Sequence, residues 1–99
     1  MDKITLDKGI LPDNLQYIVH HRVETIKTGE PITHWHIEVG LKHPNFRHFN
    51  IVAHIQEHPP TREQIIEAAR GYLVGARAML EKVGSYITGV EEQMNDKQT

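Results

Sequence analysis

The residues whose chemistry is most concentrated in this 99-residue chain are its eight histidines, all of which precede Pro59. An unperturbed imidazole titrates near pH 6.5, serves as a proton carrier and is a good ligand for divalent transition metals. His34 and His36 flank Trp35, so on a strand they project to the same side. Pairing Trp35 with Ile55 places His36 beside His54. Pairing Arg22 with Glu38 places Glu24 opposite His36 in the preceding hairpin. The expected result is a row of Glu24, His36 and His54 across a sheet, with His34 and His20 close by. Two or three imidazoles and a carboxylate form a ligand set for a divalent metal such as Zn. The plainer alternative is that alternate positions of an exposed strand face must be polar, and histidine is acceptable there.

Three of the other histidines read as structural. His43-Pro44 and His58-Pro59 are turn sequences, and His21 has the inward parity of its strand. No catalytic residue is nominated. The chain has no cysteine, so neither thiolate chemistry nor a disulfide framework is available. Ser85 is its one serine and has no histidine near it in sequence. Gly71-Tyr72-Leu73-Val74-Gly75 lies within a helical pattern rather than after a strand, so it is no phosphate loop. A formal charge of −2 opposes bulk binding to phosphate backbones.

Positioning these side chains requires a sheet. From Leu15 to Lys27 the sequence alternates, with Tyr17, Val19 and Val23 on one side and His20, Arg22 and Glu24 on the other. Thr28-Gly29-Glu30-Pro31 supplies a turn. Ile32 to Lys42 sets Trp35, Ile37, Val39 and Leu41 against His34, His36, Glu38 and Gly40. After His43-Pro44-Asn45, the run Phe46 to Gln56 is expected to turn Phe49, Ile51, Ala53 and Ile55 inward. His48, Asn50, Val52 and His54 would face outward. Residues 1–14 form an N-terminal arm in which Ile4-Thr5-Leu6 is suited to an edge strand.

A helix must cover the inward side. Ile65, Ile66, Ala69, Tyr72, Leu73, Ala76, Met79, Leu80 and Val83 make one apolar stripe, and Thr61 with Gln64 forms a capping box. The fold class is therefore α+β, a three-stranded antiparallel meander followed by a helix, in two layers and one domain. Two continuations compete after Val83. Gly84 can end the helix in a left-handed cap. Alternatively the 3-4 apolar spacing through Ile87, Val90 and Met94 extends one long helix to about residue 95. Such a helix overhangs the sheet, and its stripe of Leu80, Val83, Tyr86, Ile87, Val90 and Met94 would then join two copies as a homodimer.

The functional expectation is a small non-enzymatic module that binds another protein, an adaptor or inhibitor of the size that phages and mobile elements encode. Its partner face would carry Arg22, Glu38, His48 and Asn50. A histidine-borne metal site is the alternative. Nucleic-acid binding through the sheet is a further one, resting on Arg22, Lys42 and Asn50 and opposed by Glu24 and Glu38. No apolar run approaches the roughly 18 residues of a membrane span, and no signal peptide is visible, so a cytoplasmic location is expected.

Overall fold

A computed structural model describes residues 2–4, 10–25, 29–44 and 46–98. Four antiparallel strands lie in chain order: β1 (Asp2–Ile4), β2 (Leu15–Glu24), β3 (Ile32–His43) and β4 (Phe46–Ile55). Two helices follow, α1 (Arg62–Met79) and α2 (Gly84–Gln98), separated by a short 3-10 turn at Glu81–Val83. The α+β meander is as expected, with β1 added as a short edge pairing to His21, His20 and Val19 of β2. Thr5 and Leu6 of the predicted edge strand, and Lys27 and Thr28 of the predicted first hairpin, lie outside the described residues.

The strands form because one side of each is apolar. Leu15 and Val19 of β2, and Ile37, Val39 and Leu41 of β3, are buried on the side that the helices cover. The helix α1 lays Ile65, Ala69, Tyr72, Leu73 and Ala76 against them. Its start is fixed by the expected reciprocal cap. Gln64 N donates to Thr61 Oγ1 at 3.2 Å, and Thr61 N donates to Gln64 Oε1 at 3.0 Å. Such a box satisfies two amide groups that the first turn leaves without helical partners.

The C-terminal half corrects the long-helix expectation. The helix α1 stops at Met79, Leu80 leaves helical geometry at φ −117° and ψ 59°, and the chain reverses. Gly84 is not a left-handed cap either: at φ −54° and ψ −41° it is ordinary right-handed helix and begins α2. Polar pairs run Arg70 to Asn95 and Arg77 to Thr88 and Glu91, so the two helices are antiparallel. Ile87, Val90 and Met94 are buried in the chain's own core at 0%, 0% and 1% exposure. Leu80, Val83 and Tyr86 pack at its margin. No overhanging stripe remains to call for a second copy.

The reason is one of magnitude. Burying each of Ile87, Val90 and Met94 is worth roughly 1.5–3 kcal/mol. Interrupting a helix forgoes a few hydrogen bonds of about 1 kcal/mol net each. Reversal therefore wins. Met79, expected on the apolar stripe, is left 67% exposed at the end of α1.

The fourth strand carries a second correction. Ala53 pairs with Ile37 but Ile51 pairs with Glu38, so Val52 is an extra residue, a β-bulge. Toward the C-terminus Ala53 and Ile55 face the helices as expected. Toward the N-terminus the phase is reversed. Phe49 and Ile51 belong to the uncovered face, whereas His48 and Asn50 pair with the core residues Leu41 and Val39. Phe49 lies flat over Gly40, whose absent Cβ would sit 2.0 Å from the ring. Trp35 keeps the inward parity expected of it, but it is only half-buried and lies outside the apolar cluster, tilted against His21 with ring centroids 5.6 Å apart.

Candidate functional site

Both helices lie on one side of the sheet, and the other side is where the chemistry-bearing residues gather. In β2–β3 the register pairs His20 with His36, Arg22 with His34 and Glu24 with Ile32. This differs by four positions from the expected pairing of Arg22 with Glu38. The segment between Glu24 and Ile32 is longer than a tight turn, so the strands meet further from it. In β3–β4 the expected pairing of Trp35 with Ile55 and His36 with His54 is present. The row that crosses three strands is therefore His20, His36 and His54. Glu24 is not in that row.

Side-chain reach nevertheless brings Glu24 into the cluster. Its Oε2 lies 2.9 Å from His34 Nε2, and His34 Nδ1 lies 2.8 Å from His54 Nε2. A carboxylate accepts, so Glu24 fixes the His34 proton on Nε2, leaving Nδ1 as the acceptor of the His54 Nε2–H. The rings of His34 and His54 are within 20° of parallel at 5.0 Å, and His36 stacks on His54 at 4.6 Å and 9°. At the other end His20, 8% exposed, meets Glu38 with Nε2 and Oε1 3.2 Å apart. Thus all five residues expected to gather around a metal share one face: His20, Glu24, His34, His36 and His54.

Their arrangement is a hydrogen-bonded chain and a ring stack. Among the described residues no group of three or more His, Asp and Glu side chains is arranged to hold a metal ion. His36 is held below the ordinary imidazole range, first by burial and then by the neighbouring charges of His54, His34, His20 and Arg22.

The expected partner face is divided by the bulge. Arg22 and Glu38 lie on the uncovered face, joined there by Ile51, which is 53% exposed, and by Phe49. His48 belongs to the helix side. Its Nδ1 lies 2.8 Å from the Tyr72 hydroxyl, which donates to the His48 carbonyl at 2.8 Å and accepts from the Leu41 amide at 3.1 Å. Burial pushes the Tyr72 phenol above its usual range, so the group that bridges these strands is the neutral hydroxyl. Asn50 is exposed but stands opposite Val39 on the same helix-side parity.

The Tyr72 bridge was not anticipated. The signal for it was a phenol on a buried helical stripe, since a buried Tyr hydroxyl needs a polar partner. His43 packs edge-on against Tyr86 at 4.8 Å, and His58 Nδ1 lies 2.8 Å from the Pro59 carbonyl, local roles in keeping with their turn positions. A shallow cleft of about 360 Å³ between β4 and α1 is lined by Ala53, Ile55, Glu63, Gln64, Glu67 and Ala68, and includes none of the histidines.

No family model matches this chain, and neither do curated proteins or solved structures. Among the described residues no helix is long and apolar enough to cross a membrane.

Proposed function

We propose that this protein is a non-enzymatic protein-binding module and that its recognition surface is the uncovered face of the sheet. The observation that carries the reading is the composition of that face. It presents exposed Ile51 and half-buried Phe49 beside four imidazoles, Arg22 and two carboxylates, while both helices occupy the opposite side. Apolar groups next to oriented polar ones are what a specific protein contact requires. The reading moves the expected partner face. Arg22 and Glu38 stay in it, Ile51 and Phe49 enter it, and His48 and Asn50 leave it.

The test is capture of a partner from an extract of the source cell by three immobilised proteins: wild type, Ile51→Asp/Arg22→Glu, and Val74→Asp on the exposed side of α1. A protein retained by wild type and by Val74→Asp but lost by the sheet variant supports the reading. Equal retention by all three, or loss confined to Val74→Asp, overturns it.

A further inference from the structure

The chain from Glu24 through His34 to His54 has one property that its hydrogen bonds impose by counting protons. In the neutral state His34 donates Nε2–H to Glu24 and accepts from His54 Nε2–H, at 2.9 and 2.8 Å. The remaining ring nitrogen, His54 Nδ1, is the one through which a first proton from solvent enters. Nothing breaks when it does. The His54 imidazolium still donates to His34, and transfer of that proton across the 2.8 Å contact places the charge on His34, beside the Glu24 carboxylate. A second proton has no such place. It would set two N–H groups against each other across that contact and repel as a like-charged pair.

The surroundings make this single charge count. Facing the cluster from β2 are His20, Arg22 and Glu24; from β3, His34, His36 and Glu38; from β4, His54. Lys3 of β1 stands opposite His20 in register. Around the four neutral rings, Lys3 (+1) and Arg22 (+1) with Glu24 (−1) and Glu38 (−1) give 0. One proton on the pair brings this to +1, and one on His20 to +2. The cluster thus gains positive charge by steps of one, with exposed Ile51 alongside to supply apolar contact.

We propose that the Glu24–His34–His54 chain is a one-proton charge switch, by which the uncovered sheet face accepts a carboxylate-rich protein surface when protonated and releases it when neutral. The proposal rests on the reading of that face as the recognition surface. It commits to an acidic partner because protonation turns a balanced cluster positive, which attracts one.

The probe is polyaspartate, which stays ionised throughout the range used. Its binding to the whole chain is measured by calorimetry at pH 8, 7 and 6 in buffers of differing ionisation heat. The expected result is affinity rising about tenfold overall, with uptake of about one proton per bound site, the limit that linkage sets for a single shared proton. His34→Gln/His54→Gln should lose most of that rise, whereas His43→Gln/His58→Gln should keep it. A rise that survives in the first variant, or none in wild type, overturns the switch. Should the first variant fail to fold, imidazole resonances of the wild type decide. His34 and His54 should shift together over one proton; two independent titrations overturn the proposal. A captured partner that binds the face equally at pH 8 and pH 6 removes the switch and leaves the recognition surface standing. Sheet variants without effect on capture remove the surface itself.

Discussion

The two faces of the sheet are built from the same strands by opposite rules. On the helix side the buried residues are aliphatic and their burial is nearly complete, Ile37, Val39 and Leu41 each being 0% exposed. The polar groups that enter that side are consumed in structure, as Tyr72 is between Leu41 and His48. On the other side Glu24, His34 and His54 are linked to one another and His20 to Glu38, and Ile51 is left 53% exposed. One face is spent on stability, where each residue has a single tolerable state. The other holds groups with two protonation states and is covered by neither helix.

The comparison breaks most severely where the helix side is attacked. Ile87→Ala should destabilise the chain by roughly 2–5 kcal/mol, because it opens a cavity in the core. Ile87→Asp/Val90→Asp should abolish folding, since it buries unpaired charge. Urea unfolding followed by circular dichroism measures both, and a folded double variant would show that α2 does not complete the core. Gly40→Ala comes next, at about 1–3 kcal/mol, because its Cβ must displace the Phe49 ring. Pairing Gly40→Ala with Phe49→Ala should recover part of the loss through removal of the clash.

Tyr72→Phe should also cost about 1–3 kcal/mol by leaving the Leu41 amide and the His48 carbonyl without their bridge. Hydrogen exchange at the Leu41 amide should accelerate more than at Ile37 in the same variant. Unchanged protection at Leu41 would argue against the bridge.

On the uncovered face the expected effects are smaller and depend on pH. The folded state holds His36 below its ordinary value of 6.5, so the unfolded chain takes up protons first as pH falls. Its contribution is present in full above about pH 6.5 and is lost as pH drops through that value. Melting temperature should therefore fall between pH 7.5 and 5.5, with a shallower slope in His36→Gln. Equal slopes in the two proteins would exclude His36 as the cause. Ile51→Thr should change stability by no more than about 0.5 kcal/mol, as surface substitutions do. A larger loss would mean that Ile51 is structurally required.

What could be read from the sequence was what a period alone determines. Strict alternation from Ile32 to Lys42 assigns every side chain of β3 correctly, and the short link from β3 to β4 leaves the expected pairing of Trp35 with Ile55. The Thr61–Gln64 box places the start of α1. Three features escaped. The longer segment after Glu24 left the β2–β3 register free to sit four positions away, although His20, Glu24, His34, His36 and His54 still meet through side-chain reach. Ile51, Val52 and Ala53 are apolar in succession, so a change of phase within them leaves no gap in hydrophobicity to reveal it. The 3-4 spacing of Ile87, Val90 and Met94 describes the buried side of α2 as well as it describes a continuation of α1.

The bulge at Val52 means that β4 is written in two reading frames joined in series. A deletion of this one residue would straighten the strand and leave both faces as they are. With Ala53 and Ile55 held by α1, it is closing the bulge at full length that would invert the upstream frame: Phe49 and Ile51 would be driven toward the helices, and Asn50 and His48 out opposite Gly40 and Lys42. The extra residue is thus a phase shifter, and its loss changes the length of β4 without swapping its faces. A chain that lacks Val52 should keep both surfaces as they stand.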